Sequence, residues 1–528
     1  MKKLYLFSLV LVTLTSCRSV KEYNKQITKL HSVKELQNDV DKVYIQLKRN
    51  HPKLYQYTPK EVLDYKFDSL KASITEPLDS RRFYKKLAPV VSNVKQGHIS
   101  VSSANKRFTK KETKQLKKRP FEFYDLNFEY LQNKLWVKNT LGKDSSMVES
   151  EVLKIEDEPV SNLMDAYKTL FSSDGYNKTL YNRFVAHNFS TFYYKDKGFL
   201  DSLSITFKNR DSLFTKTLRR IEKEKKNIDK DSAKTIKPKK ISKEEKQLNR
   251  LASKQKRKYN RKHGFLLRQK TYSRNFRFIG QDSTVGFMKI RDFVNGPYKK
   301  FYKESFSKID PAKTKYLILD LRDNGGGRIS EIDYLYSFLT DKDYRFINES
   351  EVNSRIPFLK YLMSNTTPNG LKVASIVLSP LIIVHNLIHT KKHDGKLYYK
   401  FKYANLRKPK PLNYKGNLYV LINGNSFSAS SILSTHLQAN KRATFVGEET
   451  GGAYNGTVAG IYRVYQLPTS KLKIRMGLMQ IEAPEKQLPD GYGIIPEIKI
   501  IPTIEDRKLQ KDTELEWVLN DIIEKEKL

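Results

Sequence analysis

Cysteine is almost missing from this sequence: one residue, Cys17, in a chain of 528. No internal disulfide can form, so the fold must be held by burial and hydrogen bonding. Acidic residues are scarce beside basic ones, 57 against 99, for a formal net charge of +42. Much of that excess lies in residues 217–274, "TLRRIEKEKKNIDKDSAKTIKPKKISKEEKQLNRLASKQKRKYNRKHGFLLRQKTYSR". Acidic side chains are mixed into this block and few aromatics are available to stack on bases, which argues against a nucleic-acid partner. It reads as a solvated linker or exposed helix, with contact to an anionic membrane surface as the next use. Long apolar runs are lacking too. The best, "VASIVLSPLIIVHNLIH" at residues 373–389, is interrupted by Pro380 and carries two histidines, and it reads as a buried or interfacial insertion rather than a spanning helix.

The start, "MKKLYLFSLVLVTLTSC", has a basic n-region, a short apolar stretch and small residues before Cys17. This is the pattern of a secretory signal. Its ending resembles the bacterial lipobox, which implies that Cys17 becomes the lipidated N-terminus of an exported protein in a bacterial cell envelope, attached to a membrane by that anchor.

At 528 residues the chain is too long for a single core. Residues 18–118 are expected to be helical: Val33, Leu36, Val40, Val43 and Leu47 recur at steps of three and four, and so do Phe83, Leu87, Val90 and Val94. Gly97 breaks the second pattern and an alternating strand follows, so His98 is expected at a helix-to-strand junction. Residues 119–215 are richer in strands, with a helix expected from Ser161 as its N-cap. The basic linker is placed at 216–274. Across 275–505 apolar strands alternate with helices, "KYLILDL" then "ISEIDYLYSFL", and "NLYVLING" then "SFSASSILSTHLQAN". That order implies a mostly parallel, buried sheet in an α/β domain. A closing helix is expected over 506–528.

Two strand-to-helix turns could carry chemistry. "LILDLRDNGGGRIS" runs a buried strand into three glycines, whose amides could approach an anionic oxygen. The Lys and Ser/Thr of a phosphate loop are missing there, leaving an oxyanion cradle or a plain turn. In "NGNSFSASSILS", Ser428 stands at the first turn of a helix, either as a nucleophile or, like Ser426, as a cap. A serine needs a base within hydrogen-bond reach, and the nearest histidine, His436, is on the helix itself. His385, His389 and His393 recur every four residues. No cysteine or paired carboxylate accompanies them, so they read as surface or interfacial groups and no metal is expected.

"DLRDNGGG" followed about a hundred residues later by "NSFSASSILSTHLQANKRATFVGEETGG" resembles the core of the C-terminal processing (tail-specific) serine proteases. That family also takes in the tricorn protease core and the interphotoreceptor retinoid-binding proteins. "GYGIIPEI" is similar to the family's closing strand, and "EVLKIEDEPVSNLMDAY" resembles part of a PDZ domain. The resemblance implies a crotonase-like ββα spiral with a small PDZ-like module at 119–215. It makes Ser428 the nucleophile and the amides of Ala429 and of Gly325 or Gly326 the oxyanion donors. The Ser/Lys branch has a lysine where this chain has Ala453, in "ETGGAYNG". The tricorn-like branch takes its base from a histidine at the N-terminal junction, which matches His98, although the serine that precedes it there is Gly97 here. Its acid matches Asp490 in "LPDGYGIIPE", implied to orient His98 and to raise its pKa. The resemblance thus implies a serine endopeptidase acting on unfolded or C-terminal polypeptide segments, without a cofactor. The alternative is a non-catalytic ligand-binding protein on the same scaffold.

Overall fold

The computed structural model describes residues 19–222, 242–280, 282–294 and 296–527. Cys17 and the expected signal segment lie outside the described residues, as do residues 223–241 of the basic segment. The N-terminal helices form where the apolar period is three and four. Val33–Asn50 opens on a capping box, Ser32 accepting the Glu35 amide while Glu35 reaches back to the Ser32 amide. It buries Leu36, Val40, Val43 and Leu47 and stops at His51, where the following proline disfavours helix. Ser80–Ser92 starts on Asp79, whose carboxylate accepts the amides of Arg81 and Arg82. The apolar faces of these helices join the same core as Leu319, Leu433 and Met476, so this region walls the core instead of standing apart.

Residues 121–218 build a core of their own, with Phe123, Val137, Ile155, Met164, Phe189 and Phe207 inside. Its strands run in the order Leu126–Leu131, Lys134–Thr140, Glu151–Ile155, Ser202–Asn209 and Ser212–Arg219, all antiparallel. The helix expected to be capped by Ser161 starts instead at Val160 behind Pro159. The stretch expected as a linker holds regular structure at both ends of its described part: the strand Ser212–Arg219 runs into it, and Lys243–His263 is a helix of 21 residues with none buried. Ser242 caps that helix and Gly264, at φ +66°, ends it.

The central sheet runs Arg274–Ile279, Val285–Ile290, Tyr316–Asp320, Asn417–Ile422, Thr444–Gly447 and Ile498–Lys499, parallel after the first pair. Tyr316–Asp320 is buried at every position, because the large core covers one face of the sheet and Val518 and Ile522 of the helix Thr513–Lys527 cover the other. The single closing helix expected from sequence is split into Ile504–Lys508 and Thr513–Lys527.

A second sheet brings distant segments together. Ser100–Ser102 pairs antiparallel with Lys473–Ile481, and so does Thr457–Gln466. The insertion at 373–389 is helical and exposed, not buried: Asn369–Val377 and Ser379–His389 meet at a 70° bend. Among the described residues no single helix is long and apolar enough to cross a membrane. The helix ends at His389 and His393 sits on the strand Thr390–His393, so the three histidines share no helix face. No cluster of three or more metal-ligating side chains occurs among the described residues.

Candidate active site

The two turns meet because their strands are neighbours. Leu319 pairs with Val420 and Asp320 with Leu421, so both chains leave the sheet side by side at its carboxyl edge, where parallel sheets open a crevice. Side-chain amides weld them. Asn423 Oδ1 accepts the Asp323 amide at 3.0 Å, Asn423 and Asn425 both donate to Asp323 Oδ1, and the Phe427 amide donates to Asn324 O at 3.0 Å.

Ser428 sits between Asn417–Ile422 and Ala429–Ala439 at φ +57° and ψ −115°. A non-glycine residue adopts such a backbone only when its surroundings impose it, at a cost of about 1–3 kcal/mol. Gly326 explains the tight fit: a Cβ there would lie 2.8 Å from both Ala429 N and Ser428 Cβ. Although Ser428 occupies the N-cap position, its side chain caps nothing. Its Oγ lies 3.0 Å from His98 Nε2. The neighbouring hydroxyls are otherwise engaged: Ser426 donates to Leu321 O at 2.8 Å, Ser430 to Asn324 O at 2.9 Å and Ser431 to Ser426 O at 3.3 Å. Only Ser428 in this run faces a base.

His98 lies two residues before Ser100–Ser102, the strand that pairs with Lys473–Ile481. That pairing puts Ser100 opposite Arg475, while Val464 lies opposite Arg475 from the other flank, so His98, Tyr462 and Arg475 converge. Tyr462 Oη is 3.3 Å from His98 Nδ1, and the Arg475 guanidinium lies 3.5 Å from the Tyr462 ring centroid. Burial, with a smaller contribution from the Arg475 charge, lowers the His98 pKa to about 3. The imidazole is therefore neutral at ordinary pH. This corrects the upward shift expected from a neighbouring carboxylate, because no carboxylate bonds to the ring.

Gly97 has a structural reason. Its amide donates to Asp174 Oδ1 at 2.8 Å, and a Cβ would lie 2.5 Å from Phe427 Cζ. Asp174 also accepts from Thr457 Oγ1 at 2.9 Å, and burial pushes its carboxyl up to about 6. The next residues continue the seam: the Gly175 amide donates to Lys95 O at 2.8 Å and the Tyr176 amide to Gly491 O at 2.7 Å. Asp174, Tyr462 and Arg475 were not singled out from sequence, since their roles arise from contacts between distant segments, Asp174 with Thr457 and Tyr462 with His98.

Asp490 is in a different position from the one the resemblance implies. Its carboxylate accepts from Gln56 Nε2 at 2.9 Å, Asn455 Nδ2 at 3.0 Å and its neighbour Gly491 N at 2.7 Å. It makes no hydrogen bond to His98; Tyr462 holds that side of the ring. The oxyanion donors divide likewise. The Gly326 amide donates to Asn324 Oδ1 at 2.9 Å, which takes it out of a cradle, whereas the Gly325 and Ala429 amides make no hydrogen bond among the described residues. Beside Ser428 opens a cleft of about 380 Å³, with Ile432, Ala459, Tyr462 and Ile481 among its walls.

Residues 284–500 match the sequence profile of peptidase family S41. That match covers the α/β region holding both turns. The match supports serine-type peptidase chemistry in that region. Two solved structures share its fold over nearly the whole length. Mature CPAF is 15% identical, with a TM-score of 0.57 over 92% of this chain and 95% of that one. Mature CPAF complexed with lactacystin is 15% identical, with a TM-score of 0.58 over 93% and 98%. No curated protein matches the chain in sequence.

Proposed function

We propose that this protein is an S41-type peptidase, an exported, lipid-anchored endopeptidase that cuts unfolded or C-terminal polypeptide segments with a serine–histidine pair, in the manner of the tricorn-like branch. The observation that carries the pair is the 3.0 Å approach of His98 Nε2 to Ser428 Oγ. With His98 neutral, Nδ1–H donates to Tyr462 Oη and Nε2 accepts the serine proton as Oγ attacks the scissile carbonyl. The Ala429 amide, at the positive end of its helix, and the Gly325 amide receive the developing oxyanion. His98 then returns the proton to the leaving amine, and water repeats the cycle on the acyl-enzyme. Arg475, stacked on Tyr462, holds the phenol rather than the imidazole. The apolar cleft walls favour substrates with an aliphatic or aromatic side chain next to the cut bond.

The same reading takes the core as a crotonase-like spiral and residues 119–215 as a PDZ-like module that receives the substrate tail. Anchoring rests on Cys17 and the apolar stretch before it.

A fluorophosphonate probe tests the pair, because only an activated serine is acylated. Labelling is expected on Ser428 in the intact protein and is expected to vanish in Ser428→Ala. His98→Ala should slow acylation by roughly 10³-fold or more, as for residues that act as one unit. Labelling at Ser426 or Ser430, or a His98→Ala variant that reacts normally, refutes the assignment.

A further inference from the structure

The apolar hairpin at residues 369–389 has no part in the peptidase chemistry. It carries one formally charged side chain, Lys372, in a chain that is 30% charged. Most of its aliphatic side chains face outward: Val377 is 72% exposed, Leu381 70% and Ile388 67%, with Leu371, Ile376, Leu378, Val384 and Leu387 exposed as well, while Val373, Ile382 and Ile383 are half-buried. Only Ser375 and Asn386 are buried. Isolated apolar residues on a surface need no explanation, but a contiguous apolar tip marks an interaction site.

Three features favour a bilayer as the occupant. A partner protein covers one narrow face of a helix, whereas apolar side chains over most of the surface turned away from the protein suit an apolar medium. The hairpin's hydroxyls bond its own backbone, Ser375 Oγ donating to Leu371 O and Ser379 Oγ to Ile376 O, each at 2.7 Å, while Asn386 Oδ1 accepts the Phe358 amide at 3.1 Å. Polar groups satisfied within the segment are what hydrocarbon demands. Exposed Lys391, Lys392 and Lys396 follow at the hairpin's base with one acid, Asp394, among them, and Lys391 and Lys392 form no ion pair among the described residues. Cations at that level complement anionic headgroups. A second copy, with the same charge of +42, would set like charge against like.

We propose that the hairpin inserts into one leaflet of an anionic bilayer, with Lys391, Lys392 and Lys396 at the headgroups. Helices of 9 and 11 residues extend about 14 and 16 Å. Each is about half of a ~30 Å hydrocarbon core, and with a 70° bend between them and both ends joined to the protein, the pair enters without crossing. Its base is stitched to the strand that carries Tyr462, Thr366 Oγ1 donating to Val464 O and Asn365 Nδ2 to Gln466 O, each at 2.8 Å. The docked enzyme would thus work on polypeptide at the membrane surface. This docking is separate from any anchor on Cys17.

Cys17 is the only cysteine, so Cys17→Ser combined with Leu381→Cys gives the full chain a single site for an environment-sensitive nitrobenzoxadiazole label. Vesicles of phosphatidylethanolamine with phosphatidylglycerol should raise emission from the probe at position 381 by about threefold or more, as expected for transfer into acyl chains. Nitroxide-bearing lipids should quench it. The same label placed through Ser253→Cys, on the exposed helix Lys243–His263, should not respond, and adding Lys391→Glu with Lys392→Glu should abolish most of the gain. Two results overturn the proposal. One is an unresponsive probe at 381 on protein that cosediments with the vesicles. The other is an emission rise without vesicles that grows with protein concentration, which would point to a second copy.

Discussion

Replacing Gly97 with alanine adds a single methyl group next to the proposed catalytic pair without replacing either member. The new Cβ would stand 2.5 Å from Phe427 Cζ, 2.9 Å from Phe427 Cε2 and 3.2 Å from Asp174 Oδ1. Relaxed carbon contacts lie near 3.5–4.0 Å, so the Phe427 ring or the His98 turn must move by about 1 Å. Phe427 directly precedes Ser428 and its ring centroid is 5.1 Å from that of His98, so either movement shifts one member of the pair. A misplacement of about 1 Å costs roughly 10²-fold in rate, while overpacking costs about 1–3 kcal/mol of stability. The measurement is the second-order rate of fluorophosphonate acylation, with thermal unfolding run in parallel. Gly97→Ala should react about 100-fold slower while still unfolding cooperatively. Phe427→Leu removes the clashing ring atoms and should recover part of that loss in the double variant. A Gly97→Ala variant that reacts within about threefold of the parent would rule out this clash. A double variant that folds and recovers nothing would rule it out equally.

The acid limb of acylation should lie well below that of an ordinary histidine. A base of pKa ~6.5 is only about 3% neutral at pH 5, whereas His98, lowered to about 3, stays neutral there, so a rate that collapses between pH 7 and 6 would contradict its burial. The linked stability has a matching sign: a depressed imidazole pKa contributes stability above pH 6.5 that is lost as pH falls toward 3, measurable by urea unfolding across that range. Tyr462→Phe removes the partner of Nδ1 and should slow acylation about 5–10-fold, the worth of roughly 1 kcal/mol. Asp490→Asn should cost less, and a loss comparable to His98→Ala would show that Asp490 reaches the imidazole after all. Cys17→Ser should release the protein from lipid anchoring, read as loss of acyl labelling in cells; persistent labelling would remove Cys17 from the proposal.

Periodicity and turn chemistry made much of the architecture legible. Leu36, Val40, Val43 and Leu47 recur at helical spacing and are all buried on Val33–Asn50. The all-apolar run ending at Asp320 could only be a strand covered on both faces, and it pairs in parallel with both neighbours. Interruptions were harder to read. The closing helix breaks at residues 509–512, and the histidine series runs off its helix after His389, since a spacing of four says nothing about where a helix stops.

What the sequence determined by itself is therefore local: which segments coil or extend, that two strands end in glycine- and serine-bearing turns, and that a histidine stands at a helix-to-strand junction. Those features depend on neighbours a few residues apart, which a linear pattern records. The selection of partners was decided in three dimensions. His98 and Ser428 are 330 positions apart, and they meet because Ser100–Ser102 pairs with Lys473–Ile481 while the two turns leave adjacent parallel strands. The same pairing gives the imidazole Tyr462 as its neighbour and leaves Asp490 to Gln56, Asn455 and Gly491. Hydrogen bonds reach about 3 Å, so only the packed register of distant strands could assign them.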